Sequence, residues 1–285
     1  MFSEFGGQPV ASADQLQTCE RSRTTPLLSL AAFVGKTLAI AEIEMRKLRH
    51  DPWELFTRAV QPTLWLLVFG QVFNNTRAIP TGSLSYLQFM APGILAQSVL
   101  FVAIFYGIVV IWERDLGILQ KLLVSPAPRG ALVLGKALSA GVRGTVQAAI
   151  VYFLATLLGV RMNHSALALL GVAVTVILGS AVFSTFSLVV ACLVKTRERF
   201  MGIGQVLTMP LFFASNAIYP ISIMPAWLQA ISRVNPLTYQ VDALRILMLS
   251  PAAGTFSLAL DFGVMSLYAL VLLTIAARLY PTIVR

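Results

Sequence analysis

The 285 residues are 57% hydrophobic and only 12% charged, against about 25% charged in a soluble domain; with a mean hydropathy of +0.80 this excludes a water-soluble globule. The net charge of +9 does not indicate nucleic acid, because the basic residues bunch beside apolar runs without interleaved aromatics, as in cytoplasmic loops of membrane proteins. Cys19 and Cys192 cannot form a disulfide framework, and His50 and His164 fall on opposite membrane faces in the topology below, so no metal site is expected.

Residues 1–26 are polar, rich in Gly, Ser, Gln and Thr, and lack the apolar centre of a signal peptide. They read as a disordered cytoplasmic tail. Over 27–50, Val34, Leu38, Ala41, Met45 and Leu48 line one helical stripe opposite Lys36, Glu42, Glu44, Arg46, Lys47 and Arg49. That pattern predicts an amphipathic helix lying on the membrane surface, with packing on a soluble partner as the alternative. Asp51-Pro52 ends it.

Apolar runs near the ~20 residues that cross a bilayer core predict six transmembrane helices, at 59–73, 87–111, 132–160, 166–194, 200–217 and 256–277. The fold class is therefore all-α polytopic membrane protein. Pro92-Gly93 predicts a kink in the second span. Lys136 and Arg143, in the third, are expected to snorkel to the headgroups. Residues 218–250, broken by Pro220, Pro225 and Pro236, read as two short half-inserted helices on the outer face. With the tail inside, 17 of 21 Lys and Arg lie inside and four outside, at Arg77, Arg161, Arg233 and Arg245, which sets both termini in the cytoplasm.

The stretch Trp112–Arg129, WERDLGILQKLLVSPAPR, is a charged island between the second and third spans. Glu113, Arg114 and Asp115 sit at the membrane edge. Leu116, Leu119, Leu122 and Leu123 recur at helical spacing, and Ser125-Pro126 stops that helix. A short helix with one greasy face just outside a bilayer predicts a docking knob for a soluble partner.

Gly130–Lys136, GALVLGK, imitates the start of a phosphate-binding loop, but Ala137 cannot ligate magnesium and no strand precedes it. The chain is expected to hold no nucleotide or other cofactor of its own. No acidic residue lies between Leu116 and Arg197, so the midplane carboxylate that ion-coupled carriers use is missing. Gln97, Gln147, Thr208 and Asn216 are polar without charge, more often helix-packing groups than ligand contacts. Phe101, Phe105, Phe212 and Phe213 gain meaning only if the second and fifth spans face one cavity.

WERDLGILQKLLVSPAPRGALVLGK resembles the inner loop of type-2 ABC transporter permeases, and Asn235-Pro236-Leu237-Thr238-Tyr239 with Asp242, Ala243 and Arg245 resembles their second hallmark. Within that family the likeness is to multidrug, daunorubicin-resistance and nodulation-factor exporters. The resemblance implies that Glu113, Arg114, Asp115, Gly117, Leu119, Leu122, Leu123 and Ser125 couple to a separate ATPase, present in two copies and carrying the ATP and magnesium. It implies a second permease chain, identical or different, with Gln97, Phe101, Phe105, Thr208, Phe212 and Asn216 along the substrate pathway. Asn235, Pro236, Tyr239, Asp242 and Arg245 would form an outer gate. The substrate would be an amphipathic drug, natural product, lipid or lipid-linked glycan, exported across a bacterial inner membrane. Competing expectations are an ion-coupled carrier, a passive channel and a membrane enzyme, the last lacking any cluster of His, Asp, Cys or Ser at one depth.

Overall fold

The computed structural model describes residues 60–117 and 129–280, apart from 77, 78, 83 and 195, together with single residues 35, 42, 46 and 57. The tail and most of the predicted surface helix 27–50 lie outside the described residues, as does 118–128, which contains Leu119, Leu122, Leu123 and Ser125. Glu42 and Arg46 are both helical, and Arg46 Nη2 donates to Glu42 Oε1 at 2.8 Å.

Every regular element among the described residues is helical. Helix α1 covers residues 60–76, with a π-helical middle at Trp65–Gly70. It is followed by α2 (Tyr86–Asp115), α3 (Arg129–Leu157), α4 (Ala166–Leu193), α5 (Arg197–Phe213), α6 (Ala226–Val234), α7 (Pro236–Met248) and α8 (Leu258–Leu279). Their starts are written in the sequence. Ser85 and Gln88 form a reciprocal capping box on α2. Ser165, Thr196 and Ser257 accept an N–H in the first turns of α4, α5 and α8. Asn235 caps α7 with Pro236 in its first turn, where a missing N–H costs nothing.

Helices α2 and α4 run along each other through the centre, α3 and α8 lie against α4, and α7 fills the end where α2 begins. The core there is Met90, Ile94, Leu95 and Leu100 of α2, Val176 and Phe183 of α4, and Leu237, Val241 and Leu244 of α7. Small residues set the spacing. A Cβ on Gly93 would stand 2.4 Å from the Ala217 carbonyl oxygen, so α2 meets the chain beyond α5 backbone to backbone.

Among the described residues, four helices are by themselves long and apolar enough to cross a membrane: α2, residues 132–157 of α3, α4 and α8. They match four predicted spans to within a few residues. The predicted spans 59–73 and 200–217 correspond to shorter elements, α1 and α5. Helix α5 ends at Phe213, and two of its last carbonyls, which no turn of its own can satisfy, are taken by side chains from beyond it. Asn235 Nδ2 donates to Leu211 O at 2.6 Å, and the Tyr219 hydroxyl donates to Phe213 O at 2.6 Å. Asn216 therefore lies past the helix.

The snorkelling expected of Lys136 and Arg143 is not what the structure shows. They are 4% and 9% exposed, inside the bundle. Lys136 finds an anion there, Glu113 of α2, and the Arg143 guanidinium lies over the Tyr106 ring at 5.4 Å. An internal counter-charge and an aromatic face replace the headgroups.

Candidate functional site

The first site is a cleft of about 470 Å³ beside α2. Gln97, Phe101, Phe105, Ile108 and Trp112 follow each other every three or four residues, so they share one face of α2. Ser98 joins them, and Gln61 and Pro62 of α1 close the other side. The Phe101 and Phe105 rings stack with centroids 6.0 Å apart and planes 10° apart. Among the described residues the lining holds amides, hydroxyls and aromatic rings and no charged side chain. It suits an apolar ligand with a few hydrogen-bonding groups.

Only half of the predicted pathway residues meet there. Gln97, Phe101 and Phe105 do. Thr208 is 1% exposed, and its hydroxyl donates to Gly204 O within α5. Phe212 is buried edge-on to Trp65 at 6.1 Å. Asn216 belongs to a different cluster, its Nδ2 donating to Asp242 Oδ1 at 3.3 Å. The reason is the face that α5 turns inward: its buried stripe is Phe200, Gly204, Thr208 and Phe212, packed on α2 rather than on the cleft.

The second site is the end of α2 that enters the charged loop. Glu113, Arg114 and Asp115 continue the long helix, and Gly117, at φ +70°, turns the chain out of it. The charges diverge. Glu113 is 5% exposed and accepts from Lys136 Nζ of α3 at 2.5 Å. It is thus held inside the bundle, where the sequence had suggested a surface that a partner could grip. Asp115 instead accepts from Arg114 at 3.0 Å and from Arg197, in the first turn of α5, at 2.9 Å. The Arg197 guanidinium also lies 4.8 Å from the Trp112 ring, whose side chain lines the cleft. One turn of α2 thereby grips α3 with one carboxylate and α5 with the other. Because the Asp115–Arg197 pair is solvent-exposed, Arg197→Gln is expected to cost at most about 1 kcal/mol in thermal unfolding. A larger loss would mean that the pair supports the fold itself.

The third site gathers the residues read as an outer gate. Asn235 divides its amide between capping Leu237 N and holding Leu211 O. The Tyr239 hydroxyl donates to Arg233 O at 2.6 Å. Asp242, fully buried, accepts from Thr255 N and Phe256 N at 2.8 Å each, fixing the approach to α8. Arg245, 1% exposed, donates from Nη2 to Asn216 O at 2.8 Å and to Phe89 O at 3.3 Å, with its guanidinium 3.9 Å from the Phe89 ring. These side chains direct their polar atoms to backbone inside the chain, so the cluster is a clamp that joins α2, the turn after α5, α7 and the start of α8.

Sequence reasoning missed Trp112, Gln61, Lys136 and Arg197. The helical spacing of Gln97, Phe101 and Phe105, carried on in steps of three and four through Ile108, would have reached Trp112. The other three partners stand on different helices, and no local pattern marks them.

A model of the ABC-2 type transporter family matches residues 35–249. A putative transport permease ycf38 from Cyanophora paradoxa is 30% identical over 219 residues, 75% of this chain and 74% of its own length. The daunorubicin resistance ABC transporter permease protein DrrB1 of Streptomyces coeruleorubidus is 28% identical over 266 residues, 93% of this chain and 92% of that one. The inner membrane transport permease YadH of Escherichia coli K12 is 25% identical over 210 residues, covering 70% and 78%.

Proposed function

Given that the chain belongs to the ABC-2 type transporter family and is a membrane transport permease, we propose that it forms the membrane-spanning half of an ATP-driven exporter. Six spans, counting α1 and α5, leave both termini in the cytoplasm of a bacterial cell with its inner membrane as the site of action. A separate ATPase, in two copies, docks on the leucine-faced loop 118–128, and two permease chains enclose the path. The substrate is amphipathic, in keeping with the uncharged, aromatic lining of the cleft.

The observation that carries this reading is the placement of Glu113 and Asp115. A push on the loop reaches the last turn of α2, and from there Glu113 passes it to α3 through Lys136 and Asp115 passes it to α5 through Arg197. Glu113 and Asp115 are in this view transmission residues, and docking falls to Leu119, Leu122, Leu123 and Ser125. The test is reconstitution in vesicles with an ABC ATPase that co-purifies with this chain. ATP-dependent efflux of an amphipathic dye that Leu119→Asp abolishes is expected. Efflux that ignores ATP and follows a proton gradient would instead make the protein an ion-coupled carrier.

The cleft gives a second expectation. Phe105→Ala removes one of two stacked rings and should lower export of aromatic substrates by about tenfold relative to aliphatic ones, the equivalent of one aromatic contact. Uniform export across a compound panel would remove Phe105 from the path.

A further inference from the structure

A second hollow, of about 420 Å³, opens between α3 and α4 and shares no lining residue with the cleft. Its floor is made by Ala148 and Ala149 of α3 and Ala173 of α4, whose short side chains leave a slot where two helices face each other. The hydroxyls along it are turned back into their own helices: Thr145 donates to Gly141 O and Thr156 to Tyr152 O. The wall therefore presents carbon along its length. The polar groups gather at one end. There His164 stands edge-on to Tyr152 at 5.8 Å, and the Tyr152 hydroxyl donates to Asn163 O at 3.0 Å. Arg161, exposed, sits in the same turn, and no acidic residue occurs from Leu116 to Thr196.

An apolar slot along two bilayer-spanning helices, with an imidazole in its lining and an exposed arginine three residues before that imidazole in the chain, has the charge and polarity of a diacyl phosphate seen in reverse. We propose that it binds one anionic phospholipid of the surrounding bilayer, with an acyl chain against Ala149 and Ala173 and the phosphate at Arg161 and His164. The positive turn supplies charge-assisted hydrogen bonds to phosphate, and the slot supplies burial for the chain.

The test uses the full-length permease in nanodiscs of phosphatidylcholine containing a phosphatidylglycerol with a photoactivatable group on its acyl chain. Crosslinks are expected to concentrate in the peptides spanning 145–156 and 164–176. Filling the slot with Ala173→Trp should remove them, and Ala173→Ser should keep them. Arg161→Gln should reduce labelling by phosphatidylglycerol by about tenfold, the loss of one charged contact, and leave labelling by a diacylglycerol probe unchanged. If Ala173→Trp does not fold, as judged by thermal unfolding, the Arg161→Gln comparison alone decides. Labels spread evenly over other apolar faces such as α8, or a folded Ala173→Trp labelled like the unaltered chain, would overturn the proposal. Loss of labelling on adding inorganic phosphate would make the ligand a soluble anion, and displacement by exported compounds would make it cargo. Either result would overturn it as well.

Discussion

Lys136→Met is expected to lower stability by about 3–5 kcal/mol, the usual consequence of removing one member of a buried ion pair. Glu113 would be left 5% exposed without the ammonium that lies against its carboxylate. Thermal unfolding in detergent reads the effect directly, and an unchanged melting temperature would mean that the two charges do not depend on each other. The double replacement Glu113→Leu with Lys136→Met should behave oppositely. Removing both charges together restores folding to near or above the starting level, since the attraction and the cost of burying the charges vanish together. On the transmission reading, this well-folded double variant should nevertheless lose ATP-driven export. Full export by the double variant would show that force reaches α3 by another route.

The second large effect is expected from a single methyl group. Gly93→Ala places a Cβ at 2.4 Å from the Ala217 oxygen and 2.7 Å from its Cα, and neither is the yielding end of a side chain. Alanine is the better helix former by about 1 kcal/mol, yet overpacking at a backbone contact should outweigh that and leave a net loss of about 1–3 kcal/mol. The displacement would fall beside Phe89 and Asn216, whose carbonyls Arg245 holds, so the clamp should loosen with it. Gly263→Ala in α8 is the control. Nothing lies within 4 Å of its added Cβ, and a gain of up to about 1 kcal/mol is expected. If both variants unfold at the same temperature, the close approach at Gly93 has no energetic weight.

The helices were largely legible because a chain in lipid must satisfy its backbone internally, which makes an apolar run of sufficient length a helix almost by necessity. The caps were not read from the sequence, although Ser85, Ser165 and Asn235 each stand one residue before the helix they start. Side-chain partnerships were not legible. Glu113 and Lys136 are 23 positions apart, and a sequence cannot say which helix faces show them to one another. Lys136 was therefore sent to the headgroups and Glu113 to a partner protein. Asn216 was misread for a related reason. It lies past the end of α5, where the last carbonyls are taken by Asn235 and Tyr219, residues that read as belonging to other elements. Gln97, Phe101 and Phe105 were found together because one helix carries all three.

The narrow inward stripe of α5 bears on how such a molecule could move. Phe200, Gly204, Thr208 and Phe212 recur every fourth residue, while Met201, Val206 and Phe213 look outward. A helix stitched along so thin a seam can tilt or slide without unpicking the interior, whereas α2 and α4 cannot shift without tearing it.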